Sequence, residues 1–249
     1  MWQDIKEVYT CAWRAAFLLP LVFVIPALVE FAQHLIEINA GMYESRAAAK
    51  AAGDDPLRMM FGLAKGLSMT IPGYWFVRLM AFEDRAKAAR IEFPAFGLWL
   101  VLFALSAIEI AVSLFGPSAG AMLGLNEDLV ELVGSTVGGA WSILSIYLTA
   151  WAVAWPLGNR AIGPVRSVKL MVGSFWRTFV YVLLCVLPFM AVHYGLGYFA
   201  ILFAPAWLDW PILVLDSLVV AWLACAMAGA SFVAARHATQ RKSVALLPA

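Results

Sequence analysis

Long continuous runs of apolar residues dominate the hydrophobic pattern of this chain. Several runs reach about 20 residues, the length of helix that crosses a bilayer, whereas a membrane β-barrel would show alternating hydrophobicity. Backbone groups in lipid must be satisfied within the segment, so these runs predict helices. We expect an all-α polytopic membrane protein, with residues 1–249 forming a single integral membrane domain. The six predicted transmembrane helices are residues 13–36, 57–82, 94–115, 137–157, 179–203 and 211–235, followed by a basic tail over 236–249.

The second predicted span is the least regular of the six. Residues 57–82 contain Lys65 and the sequence TIPG at 70–73, in which Pro-Gly is a helix-breaking pair. The pattern leaves three alternatives open: one span, two half-helices or a surface segment. In the loop before it, SRAAAKAA at 45–52 predicts a short surface helix that ends at Gly53.

A short basic segment precedes three of the apolar runs. In the first copy, Lys6 and Trp13-Arg14 precede AAFLLPLVFVIP. The basic residues of the second and third copies are Arg85, Lys87, Arg90, Arg166, Lys169 and Arg177. The repetition predicts three units, each an amphipathic helix followed by a hairpin of two spans. Basic segments beside spans attract anionic lipid headgroups, so we expect Arg166, Lys169 and Arg177 to form a lipid-facing basic shelf.

Lysine and arginine also predict the orientation of the chain. Basic residues near span ends stay on the cytoplasmic side. Most of them lie before the first span, between the second and third, between the fourth and fifth, and after the sixth. We therefore expect both termini in the cytoplasm, and the loops near Gly53 and Asn126 on the opposite side.

Ionisable residues interrupt the predicted spans at a similar expected depth, in the outer third of the bilayer. They are Glu30, Lys65, Glu109, His193 and Asp216. A charge facing lipid costs several kcal/mol, so these groups should face one another or a wet cavity. We expect Lys65 to lie within ion-pair distance of one of the three acids, with His34 slightly further out.

Three interpretations of this polar cluster remain open. The first is a structural ion pair with hydrogen bonds between helices, and the second is a cavity that binds a lipid headgroup, a proton or another small ligand. The third is a metal site built from His34, His193 and carboxylates, and it has the weakest support because no motif links ligands on separate helices. We expect neither a metal nor a cofactor.

Composition and motifs exclude several functional classes. The chain is 63% hydrophobic and 13% charged, with a mean hydropathy of +0.84, whereas soluble domains carry about 25% charged residues. No basic face is large enough to neutralise a run of phosphates, so we expect no nucleic-acid partner. No nucleophile elbow, HExxH, Walker loop or dinucleotide fingerprint occurs. The cysteines Cys11, Cys185 and Cys225 lie in or beside apolar runs and form no metal-binding or disulfide pattern.

The run GPVRSVKLMVGSFWRTFVYVLL at residues 163–184 carries a family resemblance. Its elements are a proline at a helix end, a basic residue with Ser, and an apolar-Gly-x-x-Trp-Arg entry into the next span. These elements are Pro156, Arg166-Ser167 and Val172-Gly173-Ser174-Phe175-Trp176-Arg177. The run resembles a recurring segment of bacterial six-helix inner-membrane proteins, which include the membrane domain attached to some glycerophosphoryl diester phosphodiesterases. The resemblance implies a membrane module in the bacterial inner membrane. The phosphodiesterase activity of those proteins belongs to a separate soluble barrel, so no catalytic residue is carried over.

These observations favour a non-enzymatic multi-pass inner-membrane protein that contacts lipid or a protein partner. The expected partners are the bilayer, anionic lipid headgroups, and a partner protein or a second copy of the chain. The alternative is a small transporter or lipid-handling protein that uses a polar cavity in the outer leaflet, and an intramembrane enzyme ranks last. The arrangement of Glu30, Glu109 and Asp216 distinguishes the first two, because only the alternative requires them to line one cavity.

Overall fold

The computed structural model describes residues 1–53, 55–117 and 119–248, and all the regular structure within these ranges is helical. Its twelve helices are α1 (Trp2–Leu18), α2 (Pro20–Asn39), α3 (Arg46–Ala52), α4 (Pro56–Thr70), α5 (Pro72–Phe82), α6 (Arg85–Ala89), α7 (Phe93–Phe115), α8 (Ala119–Met122), α9 (Glu127–Ala154), α10 (Pro164–Met171), α11 (Phe175–Leu202) and α12 (Ala206–Arg241). Five of them, α2, α7, α9, α11 and α12, are long and apolar enough to cross a membrane. The predicted all-helical class is confirmed, and the five candidate spans are compatible with a multi-pass membrane protein.

The first predicted span begins too early. Residues 13–18 belong to α1, whose buried face includes Ile5, Val8 and Ala12, and α2 begins only at Pro20. Proline lacks an N–H donor and its ring disrupts a preceding helical turn, but it suits the first turn of a helix. The chain therefore breaks at Leu19, and α2 alone is the first candidate membrane helix.

Residues 57–82 form two half-helices. Helix α4 ends at Thr70 and α5 begins at Pro72, so Ile71 separates them. Buried side chains of α5, including Tyr74 and Phe76, join the hydrophobic interior. The break matches the half-helix alternative, and α5 is packed into the protein interior. The predicted surface helix before α4 is confirmed as α3, whose N-terminus is capped by Ser45 Oγ accepting from the Ala48 N–H at 3.1 Å.

Helix α12 is the centre of the bundle and packs against α1, α2, α5, α9 and α11. It is rich in small buried residues, among them Ala221, Ala224 and Ala230. A Cβ on Gly229 would lie 2.7 Å from Val8 Cγ1 and 3.1 Å from Phe76 Cε1. Small residues let helix backbones approach closely in a membrane, and this one brings α1 and α5 against α12.

The sequence contains two Gly-xxx-Gly pairs, Gly62 with Gly66 on α4 and Gly134 with Gly138 on α9, and their surroundings differ. A Cβ on Gly66 would lie 3.0 Å from Ile110 Cδ1, and one on Gly62 would lie 4.0 Å from Leu114 Cδ1, so this pair packs α4 against α7. Neither Gly134 nor Gly138 on α9 has a contact of this kind within 4 Å in the described ranges. One pair therefore serves packing within the chain, and the other leaves the first half of α9 uncovered.

The predicted basic tail is largely structured. Helix α12 continues to Arg241, and Arg236 binds Asp4 Oδ1 at 3.1 Å and Glu7 Oε2 at 2.7 Å. After α12, Asn159 Nδ2 donates to the carbonyl oxygen of Leu246 at 3.0 Å. Residues 236–248 therefore form part of the end of the bundle where α1 lies.

Ser167 on α10 joins that helix to the backbone of α9. Its Oγ accepts from the Trp151 N–H at 3.0 Å and donates to the Tyr147 carbonyl at 2.8 Å. These two backbone groups would pair with each other in an uninterrupted α-helix. The fully buried hydroxyl thus bonds to both backbone groups of one helical hydrogen-bond position and positions α10 against α9.

Replacing Ser167 by Ala should destabilise the protein by about 1–3 kcal/mol, because buried backbone groups of α9 lose their partner. The measurement is thermal unfolding in detergent. Ser142→Ala is the matched control, since Ser142 is exposed on α9 and its hydroxyl bonds only within that helix. An equal loss for the two variants would contradict the role given to Ser167.

Candidate functional site

A polar stripe runs along one face of the otherwise apolar helix α2. Its members, all buried, are Glu30, Gln33, His34 and Glu37. Their spacing places them on one side of an α-helix, where residues three, four and seven apart are neighbours. The stripe faces α4 and α12, which contribute its partners.

Glu37 is the most extensively bonded carboxylate of this stripe. Its Oε1 accepts from Gln33 Nε2 and from Arg58 Nε, each at 3.0 Å. Its Oε2 lies 2.9 Å from His34 Nδ1 and accepts from the Tyr43 hydroxyl, also at 2.9 Å. Four side chains therefore hold one buried carboxylate, which is the arrangement that a charge needs away from water.

The Tyr43 hydroxyl, in the loop after α2, serves this network as a donor. Burial raises the pKa of Tyr43, and the negative charge of Glu37 raises this pKa further. The phenol therefore stays protonated and donates to Glu37.

Asp216 on α12 joins α2 to α11. Both of its oxygens lie 2.8 Å from His193 Nδ1, and Oδ2 lies 3.0 Å from His34 Nε2. Asp216 is 1% exposed, so it is shielded from bulk solvent on the central helix. Two imidazoles from different helices thus converge on one buried carboxylate.

Lys65 on α4 pairs with Glu30, which confirms the prediction that it lies within ion-pair distance of an acid. Its Nζ is 2.8 Å from each of the two Glu30 oxygens, and only the Oε1 contact has hydrogen-bond geometry. Glu30 is 1% exposed, and its Oε2 accepts no hydrogen bond from the described ranges. The second oxygen of this carboxylate is therefore paired with the Lys65 charge but has no aligned hydrogen bond.

These groups line a partly open cavity of about 390 Å³. Charged and imidazole side chains from α2, α4 and α12 form one wall. The facing part of α11 contributes His193 and the less polar residues Tyr194, Gly197, Tyr198 and Ile201. Tyr194 and Tyr198 are exposed on the outer surface of α11. The cavity therefore joins a charged interior to an apolar helix face.

Four of the five predicted cluster residues meet in this cavity, namely Glu30, Lys65, His193 and Asp216. Glu109 does not, because it is exposed on α7. Helix α7 packs on α4 through Ile110 and Leu114, and the adjacent residue on a helix points about 100° away. The inclusion of Glu109 was wrong, because equal depth does not imply the same facing direction.

The expected depth of the cluster also changes. With α2 starting at Pro20, Glu30 comes about 15 Å along the helix at about 1.5 Å per residue. Asp216 comes a similar distance after the start of α12. Glu30 therefore lies near the midpoint of α2, while His34 and Glu37 extend the network towards the end of that helix.

The sequence reasoning missed Gln33, Glu37, Tyr43 and Arg58. The spacing of Glu30, Gln33, His34 and Glu37 was the available signal, but ending the first span at residue 36 assigned Glu37 to a loop. Arg58 and Tyr43 are distant in sequence from their partner, so nothing local identifies them.

The basic shelf lies apart from the cavity. Arg166, Lys169 and Arg177 are exposed, which leaves them accessible to a membrane surface. Arg166 donates to the Ala161 carbonyl at 3.1 Å, and Arg177 contacts His237. Arg177 is near the start of α11, about 24 Å along that helix from His193. The shelf and the cavity are therefore separate features.

Comparison of the chain with protein-family models, with curated proteins and with solved structures gives no match. The chemistry of the cavity is therefore the basis for a function. Its polar groups are three carboxylates, two imidazoles, three phenols, the Gln33 amide and the cations Lys50, Arg58 and Lys65.

Removing either member of the Glu30–Lys65 pair should cost more stability than removing both. Lys65→Met and Glu30→Gln each leave a charged group without its partner, at a cost of about 3 kcal/mol, whereas the double variant leaves no unpaired charge. The measurement is thermal unfolding of the single and double variants in detergent. Glu109→Gln is the matched control and should have little effect. Strictly additive losses would show that the pair contributes no coupling energy.

Proposed function

We propose that this protein is a non-enzymatic, multi-pass membrane protein that handles lipid, binding a phospholipid headgroup in the cavity between α2, α4, α11 and α12. This proposal rests on one observation: a single cavity joins a charged interior to an apolar helix face. A phospholipid likewise joins a charged headgroup to apolar acyl chains. The absence of a catalytic signature from the sequence supports a binding role.

The charge distribution favours a zwitterionic headgroup. Three carboxylates, Glu30, Glu37 and Asp216, line the cavity together with three basic side chains, Lys50, Arg58 and Lys65. Arg58 and Lys65 are paired with acids, whereas Lys50 is exposed and forms no ion pair with a carboxylate of the described ranges. Lys50 is therefore free to bind a phosphate at the rim, while the acids attract an amine.

The apolar side of the cavity suits the acyl chains. Only 11% of the most apolar stretch of α11 is buried within the protein, so this helix presents a lipid-facing surface from which Tyr194 and Tyr198 project beside the cavity. A lipid with its headgroup in the cavity keeps its chains along α11 and in the bilayer. Binding then buries the headgroup in the cavity while the acyl chains stay in an apolar medium.

We also retain contact with a protein partner or a second copy of the chain as a second role. It is favoured by the uncovered half of α9, where the surroundings of Gly134 and Gly138 permit close approach of another helix. The exposed basic shelf is proposed to contact anionic headgroups, and it is independent of the cavity.

For the membrane topology, we propose six crossings in a bacterial inner membrane with both termini in the cytoplasm. The sixth crossing would be the pair α4 and α5, whose 56–82 segment measures about 40 Å at 1.5 Å per residue, enough for a bilayer core of about 30 Å. The short helices α1, α6 and α10 each precede a long apolar helix, which supports the three-unit arrangement. Six helices in a bacterial inner membrane are also what the resemblance of residues 163–184 implies.

Lipid binding is tested by native mass spectrometry of the detergent-purified full chain. Phosphatidylethanolamine should bind more tightly than phosphatidylglycerol with the same acyl chains. Lys50→Gln should weaken the binding of phosphatidylethanolamine about tenfold, because a hydrogen bond to a charged group contributes about 1.5–3 kcal/mol. Arg166→Gln, which removes an exposed charge on the basic shelf, is the control. Equal binding of both lipids by wild type and Lys50→Gln would reject a headgroup site in the cavity.

Topology is tested with reporter fusions. Fusions after Ala89, after Gly163 and at the C-terminus should report the cytoplasm, and fusions near Gly53 and Asn126 should report the other side. A reporter after Ala89 that reads on the same side as one near Gly53 would show that α4 and α5 do not cross.

A further inference from the structure

We propose that Glu30, His34, His193 and Asp216 form a binding site for one divalent transition-metal ion of the Zn²⁺ type, at the base of the cavity. These side chains come from α2, α11 and α12. The ligand atoms of Glu30, His193 and Asp216 all lie within 4.8 Å of one another. His34 Nε2 lies 3.0 Å from Asp216 Oδ2 and 3.5 Å from Glu30 Oε1, which adds a fourth donor to the same place.

The orientation of His34 supplies the first argument. A carboxylate oxygen only accepts hydrogen bonds, so the 2.9 Å contact with Glu37 Oε2 assigns a proton to His34 Nδ1. The opposite nitrogen, Nε2, then faces the oxygens of Asp216 and Glu30. A neutral ring would bring its Nε2 lone pair against these oxygens, so Nε2 carries either a second proton, as in an imidazolium, or a bound cation. A metal ion bound to Nε2 and to both carboxylates is the second of these arrangements.

Glu37 has the role of a group that orients a metal ligand. Histidines that bind metals almost always donate their second N–H to a carboxylate, a carbonyl or a water, and this partner fixes the ring. Here the carboxylate is itself held by Gln33, Tyr43 and Arg58. Glu37 is thus a positioning residue, and its own oxygens are occupied by these donors.

The separations agree with coordination by nitrogen and oxygen. Bonds of about 2.0–2.1 Å in a tetrahedral zinc site place the ligand atoms about 3.3 Å apart. The distance is 2.8 Å between His193 Nδ1 and Asp216 Oδ1 and 3.5 Å between His34 Nε2 and Glu30 Oε1, and the ligand atoms of Glu30, His193 and Asp216 all lie within 4.8 Å of one another. Side-chain rotations would bring these atoms to coordination distances. Imidazole with carboxylate is a donor set that suits Zn²⁺ and its first-row neighbours.

Glu30 provides the second, independent observation. It is 1% exposed, and its Oε2 accepts no hydrogen bond from the described ranges, although Lys65 Nζ is close. Lys65 competes with a metal for this carboxylate, because both are cations that need the same oxygens. Its side chain is 21% exposed and flexible, so it can turn towards solvent when a metal binds.

The test uses the full chain, purified in detergent without a polyhistidine tag and stripped with a chelator. It is titrated with Co²⁺, whose visible absorption reports the coordination geometry, and the Co²⁺ is then displaced by Zn²⁺. Wild type should bind a single equivalent of Co²⁺ with the spectrum of a nitrogen- and oxygen-coordinated ion. Zn²⁺ should displace it and should raise the thermal stability.

Variants separate this site from adventitious binding. Glu37→Gln should weaken Zn²⁺ binding about 10–100-fold through loss of ligand orientation, and His193→Ala and Asp216→Asn should weaken it further. Lys65→Met should strengthen binding by removing the competing cation. The control Glu109→Gln, which changes an acid outside the cavity, should keep the wild-type affinity.

An absence of Co²⁺ absorption and of Zn²⁺ binding in the wild-type protein would overturn the proposal, even if the variants fail to fold. So would a wild-type affinity retained by both His193→Ala and Asp216→Asn. The metal site does not depend on lipid binding, because phosphatidylethanolamine binding is measured separately on chelator-stripped protein. Loss of one result with retention of the other identifies which of the two proposals fails.

Discussion

The pairing of buried carboxylates governs the arrangement of this helix bundle. Glu30, Glu37 and Asp216 all lie inside apolar helices, where an unpaired charge costs several kcal/mol. Each has partners outside its own helix. Glu30 has a partner on α4, Glu37 has partners on α4 and in the loop after α2, and Asp216 has partners on α2 and α11. Because the helix rotations must satisfy all these contacts together, the cluster restricts how α2, α4, α11 and α12 pack.

The buried fraction of the helices varies across the bundle and is highest for α12, which carries Asp216. The most apolar stretch of α12 is 67% buried, whereas that of α7 is 6% buried. Small residues such as Gly229 bring α1, α5 and α12 close together without polar contacts. The helices at the periphery, α7 and the first half of α9, have largely exposed surfaces. The cavity therefore opens beside a rigid central helix.

A charged network of this kind affects the stability of the bundle and supplies the side chains of the proposed binding sites. Hydrogen-bonded side chains in a low-dielectric medium hold their positions strongly, and incomplete networks are costly. Here the network is nearly complete around Glu37 and incomplete at Glu30, whose second oxygen lacks a hydrogen bond. Buried polar groups that lack some of their hydrogen-bond partners are typical of functional sites. This contrast favours the end of the network formed by Glu30, Asp216 and the two histidines as the proposed ligand site.

The sequence by itself determined the class of the protein and the positions of most long helices. Continuous apolar runs, the Pro-Gly interruption after Ile71 and the Ser-initiated helix α3 are local signals, and local backbone chemistry suffices to interpret them. The Lys65 pairing was also predictable, since an isolated ammonium inside a span needs an acid. Tertiary structure alone decided that Glu30 is the partner, that Glu109 faces outward, and that Arg58 and Tyr43 complete the network. Hydropathy and spacing give the depth of a residue and its place on its own helix, but the direction in which that helix faces depends on contacts between residues far apart in the chain.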